Sequence, residues 1–96
     1  MGLPLSLGEQ IIQHGIENEQ RIKQDAIVVL THFYQNTPAS VFAEKFRKGA
    51  LEHGELTENV LVGSAWTPHF LDEAQDAFWY MAMMDFLSAR AEEAGR

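Results

Sequence analysis

The chain has 96 residues, 46% hydrophobic and 22% charged, the composition of one ordered globular domain (1–96) with a modest core. A net charge of −7 excludes general affinity for nucleic acid, whose phosphates need a basic footprint, and the absence of cysteine excludes disulfides and thiolate metal sites. No apolar run approaches the ~18 residues of a membrane span and the N-terminus lacks a signal peptide's basic start, so the expectation is a soluble, cytoplasmic protein.

Residues 1–5 read as a short non-helical lead. Ser6 and Glu9 then form a capping box, with Ser6 as N-cap and Glu9 at the N3 position. Apolar residues recur at Ile11, Ile12, Ile16, Ile22, Ala26, Ile27, Leu30 and Phe33, which is helical spacing with a weak, wholly polar middle from Glu17 to Gln20. Gly15 is the expected place for this helix to fray or bend. The run from Ala26 to Tyr34 has strong β-propensity, but no turn separates it from the helix before it, so it is read as helix.

Two Thr-Pro pairs, Thr37-Pro38 and Thr67-Pro68, each offer a threonine N-cap with proline at N1. The first opens a helix through Val41, Phe42, Lys45, Phe46, Gly49 and Glu52, ending near Gly54 or continuing raggedly to Asn59. Residues Val60 to Trp66 read as a loop pivoting at Gly63-Ser64. The second pair opens the last helix, from about Pro68 to Glu93. Its centre, Ala77 to Met84, is apolar all round, a pattern of burial on more than one side that implies a partner chain. The predicted fold is all-α: an antiparallel bundle of three helices, four if the first breaks, forming a homodimer or tetramer through the last helix. A compact chain of this length has a radius of gyration of about 12–13 Å.

Candidate chemistry lies in two acidic couplets, Glu52/Glu55 and Glu73/Asp76, separated by seventeen residues. Each spaces its carboxylates three apart, so on a helix both project from one face. Two such helices packed antiparallel can aim four carboxylates at one spot, which needs protons or a cation to be tolerable. Oxygen ligands of this kind suit a hard divalent ion, Mg²⁺ or Mn²⁺. Glu52 and Glu55 share a predicted stripe with Lys48, and Glu73, Asp76 and Tyr80 share another. Lys45, Arg47 and Lys48 cluster just before the first couplet, where a metal-bridged phosphate would welcome them.

With these couplets the segment 42–87 resembles the MazG-like, all-α nucleoside triphosphate pyrophosphohydrolases. Their signature is ExxE, a gap of a dozen or more residues, then ExxD on an adjacent helix. The stretches Lys48 to Glu55 and Glu73 to Tyr80 are similar to compact, phage-associated members of that group. The resemblance implies Mg²⁺ (or Mn²⁺) held by Glu52, Glu55, Glu73 and Asp76, with Lys48 as a phosphate contact. It also implies release of pyrophosphate and a nucleoside monophosphate from a nucleotide substrate.

Other readings stand beside it. Glu73 and Asp76 near a helix N-terminus also complement the helix dipole, and Glu52 can pair with Lys48 on a solvated face. A small acidic helical chain can instead be an inhibitor or adaptor, of the kind a phage encodes to mimic nucleic acid, that binds a basic protein surface. A MazG-like fold without catalysis, serving as an interaction module, is a third. His14, His32, His53 and His69 lack zinc-site spacing. Trp66, Trp79 and Tyr80 are candidates for base stacking, although Trp79 and Tyr80 read first as core or interface. Met81, Met83 and Met84 read as adaptable packing.

Overall fold

The computed structural model describes residues 5–95. Positions 1–4 of the expected lead and position 96 lie outside the described residues. Five helices follow in order: α1 Leu7–Glu17, α2 Glu19–Asn36, α3 Ala39–His53, α4 Glu58–Gly63 and α5 Trp66–Ala94. Among the described residues there is no strand, and no helix is long and apolar enough to cross a membrane. The all-α class is as read from the sequence, and the expected bundle of three to four helices fits roughly, with five helices among the described residues.

The capping at Ser6 holds, with its hydroxyl accepting the Glu9 amide at 3.2 Å. The first predicted helix is two, and it breaks at Asn18 rather than at Gly15. Asn18 leaves helical geometry (φ −116°, ψ 26°), and its side-chain amide competes for the His14 carbonyl at 2.9 Å. Its backbone still accepts from the Ile22 amide at 3.0 Å, so the break is a local kink. The polar stretch around it supplies no apolar packing to hold the axis straight. Gly15 stays helical and buried because α5 approaches it closely. A Cβ built there would lie 2.7 Å from Cζ3 of Trp79.

Both Thr-Pro expectations shift. Thr37 is extended, as residues before proline favour, and Pro38 itself takes the N-cap position of α3. The last helix begins at Trp66, ahead of Thr67-Pro68, so Pro68 sits in the first turn where its missing N–H leaves no bond unmade. The expected loop over Val60 to Trp66 is largely a short helix, α4. Thr57 caps it by accepting the Val60 amide at 3.3 Å, and the Trp66 indole N–H donates to the Leu61 carbonyl at 2.9 Å. At the end of α3 the chain stops where expected: Gly54 takes φ 87°, a conformation that glycine adopts without a Cβ clash.

Helices α1, α2 and α5 pack on one another. Arg21 meets Asp85, whereas Ala26 to Leu30 share a groove with Leu71 to Trp79, so α2 and α5 run antiparallel. Gly15, Ile22 and Ala82 form the fully buried centre. Among the described residues α3 and α4 stand off this core. Their link to it is a ring cluster, with Phe42 5.4 Å from Phe33 and 6.0 Å from Tyr34 between centroids. The single compact bundle expected is therefore three helices with an α3–α4 arm. The radius of gyration is 18.0 Å, with extents of 55 × 35 × 23 Å, against the ~12–13 Å of a compact chain.

Candidate functional site

Helix α5 places Glu73, Asp76 and Tyr80 on one exposed stripe, as their spacing predicts. Phe78 and Met81 fall on the other side and are half-buried. The second couplet is thus presented to solvent on a rigid element, one helical turn between its carboxylates.

The first couplet is built differently from expectation. Glu52 lies in the last turn of α3, exposed, with its carboxylate 3.9 Å from Nε2 of His53. Glu55 lies beyond the helix end, because the φ of Gly54 turns the chain out of the helix between them. Glu55 therefore does not share the stripe of Lys48 and Glu52. Lys48, Lys45 and Glu52 do line one shallow depression on α3 together with Gly49 and His53. The antiparallel packing of α3 on α5 is not found within the chain, so the two couplets are not brought together by it. Among the described residues no three His, Asp or Glu side chains converge as a metal-holding group.

A second polar constellation ties the three core helices. Oδ2 of Asp85 on α5 accepts from Nη2 of Arg21 on α2 at 2.5 Å, and lies 2.6 Å from Nε2 of His14 on α1. The Arg21 hydrogen bond holds the Asp85 carboxyl below the usual carboxylate range; partial burial opposes it, and the His14 bond adds to it. The same pairing raises the Arg21 guanidinium. His14 also meets the Phe86 ring edge-on at 5.6 Å, and Arg90 lies over that ring at 5.5 Å. Every partner here is a fixed charge or a ring already engaged in packing, so the arrangement fastens helices. No local spacing could have revealed it, since 71 and 64 residues separate Asp85 from His14 and Arg21.

The aromatic candidates divide. Trp79 is edge-on to Phe78 at 4.8 Å and against Gly15, which makes it core. Trp66 is committed to the Leu61 carbonyl and lies 5.8 Å from His69. Tyr80 remains exposed beside the α5 carboxylates. Between α2 and the first half of α5 runs an open apolar groove of about 570 Å³, floored by Ile27, Leu30, Leu71, Ala74 and Phe78. Comparison with family models, with curated proteins and with solved structures finds no match to this chain.

Proposed function

We propose that the chain is a Mg²⁺- or Mn²⁺-dependent nucleoside triphosphate pyrophosphohydrolase of the MazG-like kind. The observation that carries the reading is Glu73 and Asp76, one turn apart on an exposed face of α5, in the order and gap after Glu52 and Glu55 that the resemblance requires. The donor set fits the ion: carboxylate oxygens are the ligands that Mg²⁺ and Mn²⁺ take. In this reading Glu73 and Asp76 hold the ion from α5, and Glu52 and Glu55 complete the set when the end of α3 comes against that face. Lys48, one turn before Glu52, offers an ammonium to the phosphate chain. A divalent cation bound there supplies charge neutralisation and a more acidic water. The residues themselves fix the triphosphate so that hydrolysis releases pyrophosphate and a monophosphate.

Thermal melting with and without millimolar Mg²⁺ or Mn²⁺, across a panel of nucleoside triphosphates, tests the reading alongside pyrophosphate release. A ligand of the native state raises the melting temperature in proportion to its occupancy. The expected result is a metal-dependent rise enlarged by one nucleotide. Glu73→Gln and Asp76→Asn should each abolish turnover while melting no lower than the parent, because removing one of several like charges relieves repulsion. No metal response together with a lower melting temperature for both variants refutes it. The exposure of these carboxylates favours a second reading, an acidic inhibitor or adaptor for a basic protein surface. Salt-sensitive capture of such a partner, weakened stepwise by neutralising single carboxylates, distinguishes it. A MazG-like interaction module without turnover would assemble and yet release no pyrophosphate.

A further inference from the structure

We infer that the α2/α5 groove is the seat for the α3–α4 arm of a second copy of this chain, so that two chains exchange arms into a closed dimer. The inference starts from exposed area. The chain exposes 8375 Å², about 2,800 Å² more than a compact monomer of 10.9 kDa would. A standard interface takes about 800 Å² from each partner, and obligate homodimers take considerably more. The excess is of the size that such an obligate interface removes.

Each chain holds one vacant seat and one unseated element. The groove floor is apolar, with Ile27 and Leu71 more than half exposed. Apart from the Phe42 ring against Phe33 and Tyr34, the arm stands off the core helices among the described residues, and it presents Val41, Phe46, Leu51 and Val62 to solvent, Phe46 at 70% and Leu51 at 88% exposure. Spaced five residues apart, Val41, Phe46 and Leu51 point to different sides of α3, so the arm carries exposed apolar side chains on more than one side. Small side chains at Ala26, Ala74 and Ala77 let a helix approach the floor closely. One seat and one arm per chain satisfy each other reciprocally, and two-fold exchange closes the assembly without leaving a free end. The seat does not depend on the hydrolase reading.

Light scattering on the purified chain reads the mass directly. The expected mass is twice 10.9 kDa, falling to 10.9 kDa in both Ala74→Glu, which blocks the floor, and Phe46→Glu, which charges the arm. Far-UV circular dichroism should show both variants still helical, since both side chains are exposed within the chain. The chain lacks cysteine, so a second measurement needs no background removal. Chains carrying Phe46→Cys are mixed with chains carrying Ala74→Cys and oxidised; a covalent dimer of the two different chains is expected. A parent mass of 10.9 kDa overturns the inference, as does an oligomer indifferent to both charged variants. So does a mixture that yields no cross-linked heterodimer. Pyrophosphate release is not read, so this inference and the proposed activity fail separately.

Discussion

Replacing Gly15 by alanine, beside the same replacement at Gly49, isolates the close approach of α1 and α5. Both glycines lie inside helices, so alanine brings each about 0.8–1.0 kcal/mol of helix propensity. At Gly49 nothing lies within 4 Å of the added methyl, and the gain stands alone. At Gly15 the methyl would sit 2.7 Å from Cζ3 and 3.3 Å from Cη2 of Trp79, well inside the ~3.5–4.0 Å of favourable carbon contact. The Phe78 ring, edge-on to the indole at 4.8 Å, also comes within 3.5 Å of the added methyl, so the methyl presses on both rings. Overpacking of this kind costs about 1–3 kcal/mol, so the net change at Gly15 is a loss of up to ~2 kcal/mol. The propensity gain is common to both variants and cancels in their difference, which leaves the clash. For a domain of this size 1 kcal/mol moves the melting temperature by about 4–8 °C. Melting followed by far-UV circular dichroism at one protein concentration should place Gly49→Ala above the parent and Gly15→Ala at or below it. Equal rises for the two variants would show that Trp79 does not press on α1, and the packing of the three core helices would have to be redrawn.

Asp85→Asn removes the charge that Arg21 and His14 share, and should destabilise by about 1–3 kcal/mol in urea or thermal unfolding. Arg21→Ala should lose less than Asp85→Asn, because the guanidinium is largely exposed. The acid limb follows from the same contact: the folded Asp85 carboxyl is depressed, so its stabilisation is complete above the unfolded value of about 3.9 and is lost as pH falls through the lower folded value. The stability gap between parent and Asp85→Asn should accordingly close as pH falls below about 4. A gap that persists unchanged into stronger acid would contradict the pairing. In α4, a helix of six residues too short to persist unaided, Thr57→Ala should cost about 1 kcal/mol locally. Faster amide exchange at Val60 and Leu61, with α5 unaffected, is the readout. Trp66→Phe, which deletes the indole bond to Leu61, should act in the same direction.

What was legible follows from how far apart in sequence the deciding groups are. Ser6 and Gly54 act within one turn, and both caps were readable as residue types. Thr57 followed by Glu58 was an equally local signal for α4. The Gly63-Ser64 pair is a loop signal of the same range, and in the fold Gly63 ends that helix. The α5 couplet kept its face because helical periodicity runs undisturbed through Glu73 and Asp76, whereas one positive φ at Gly54 removed Glu55 from the face of Glu52. Contacts such as Trp79 on Gly15 or Asp85 on His14 leave no local pattern, since either partner is ordinary until the fold brings the other. The middle of α5 presents the opposite case. Its unbroken apolar run from Ala77 to Met84 implied burial on more than one side. Within one chain only Ala82 is fully buried, while Tyr80 and Met84 are 64% and 53% exposed. Side chains of that size gain roughly 1.5–3 kcal/mol each on full burial. The pattern therefore encodes more burial than three packed helices provide, and the same surplus recurs in α2 from Ile27 to Leu30 and in α3 at Phe46. The second copy inferred above would have to cover apolar surface on α2, α3 and α5 together rather than on the last helix alone.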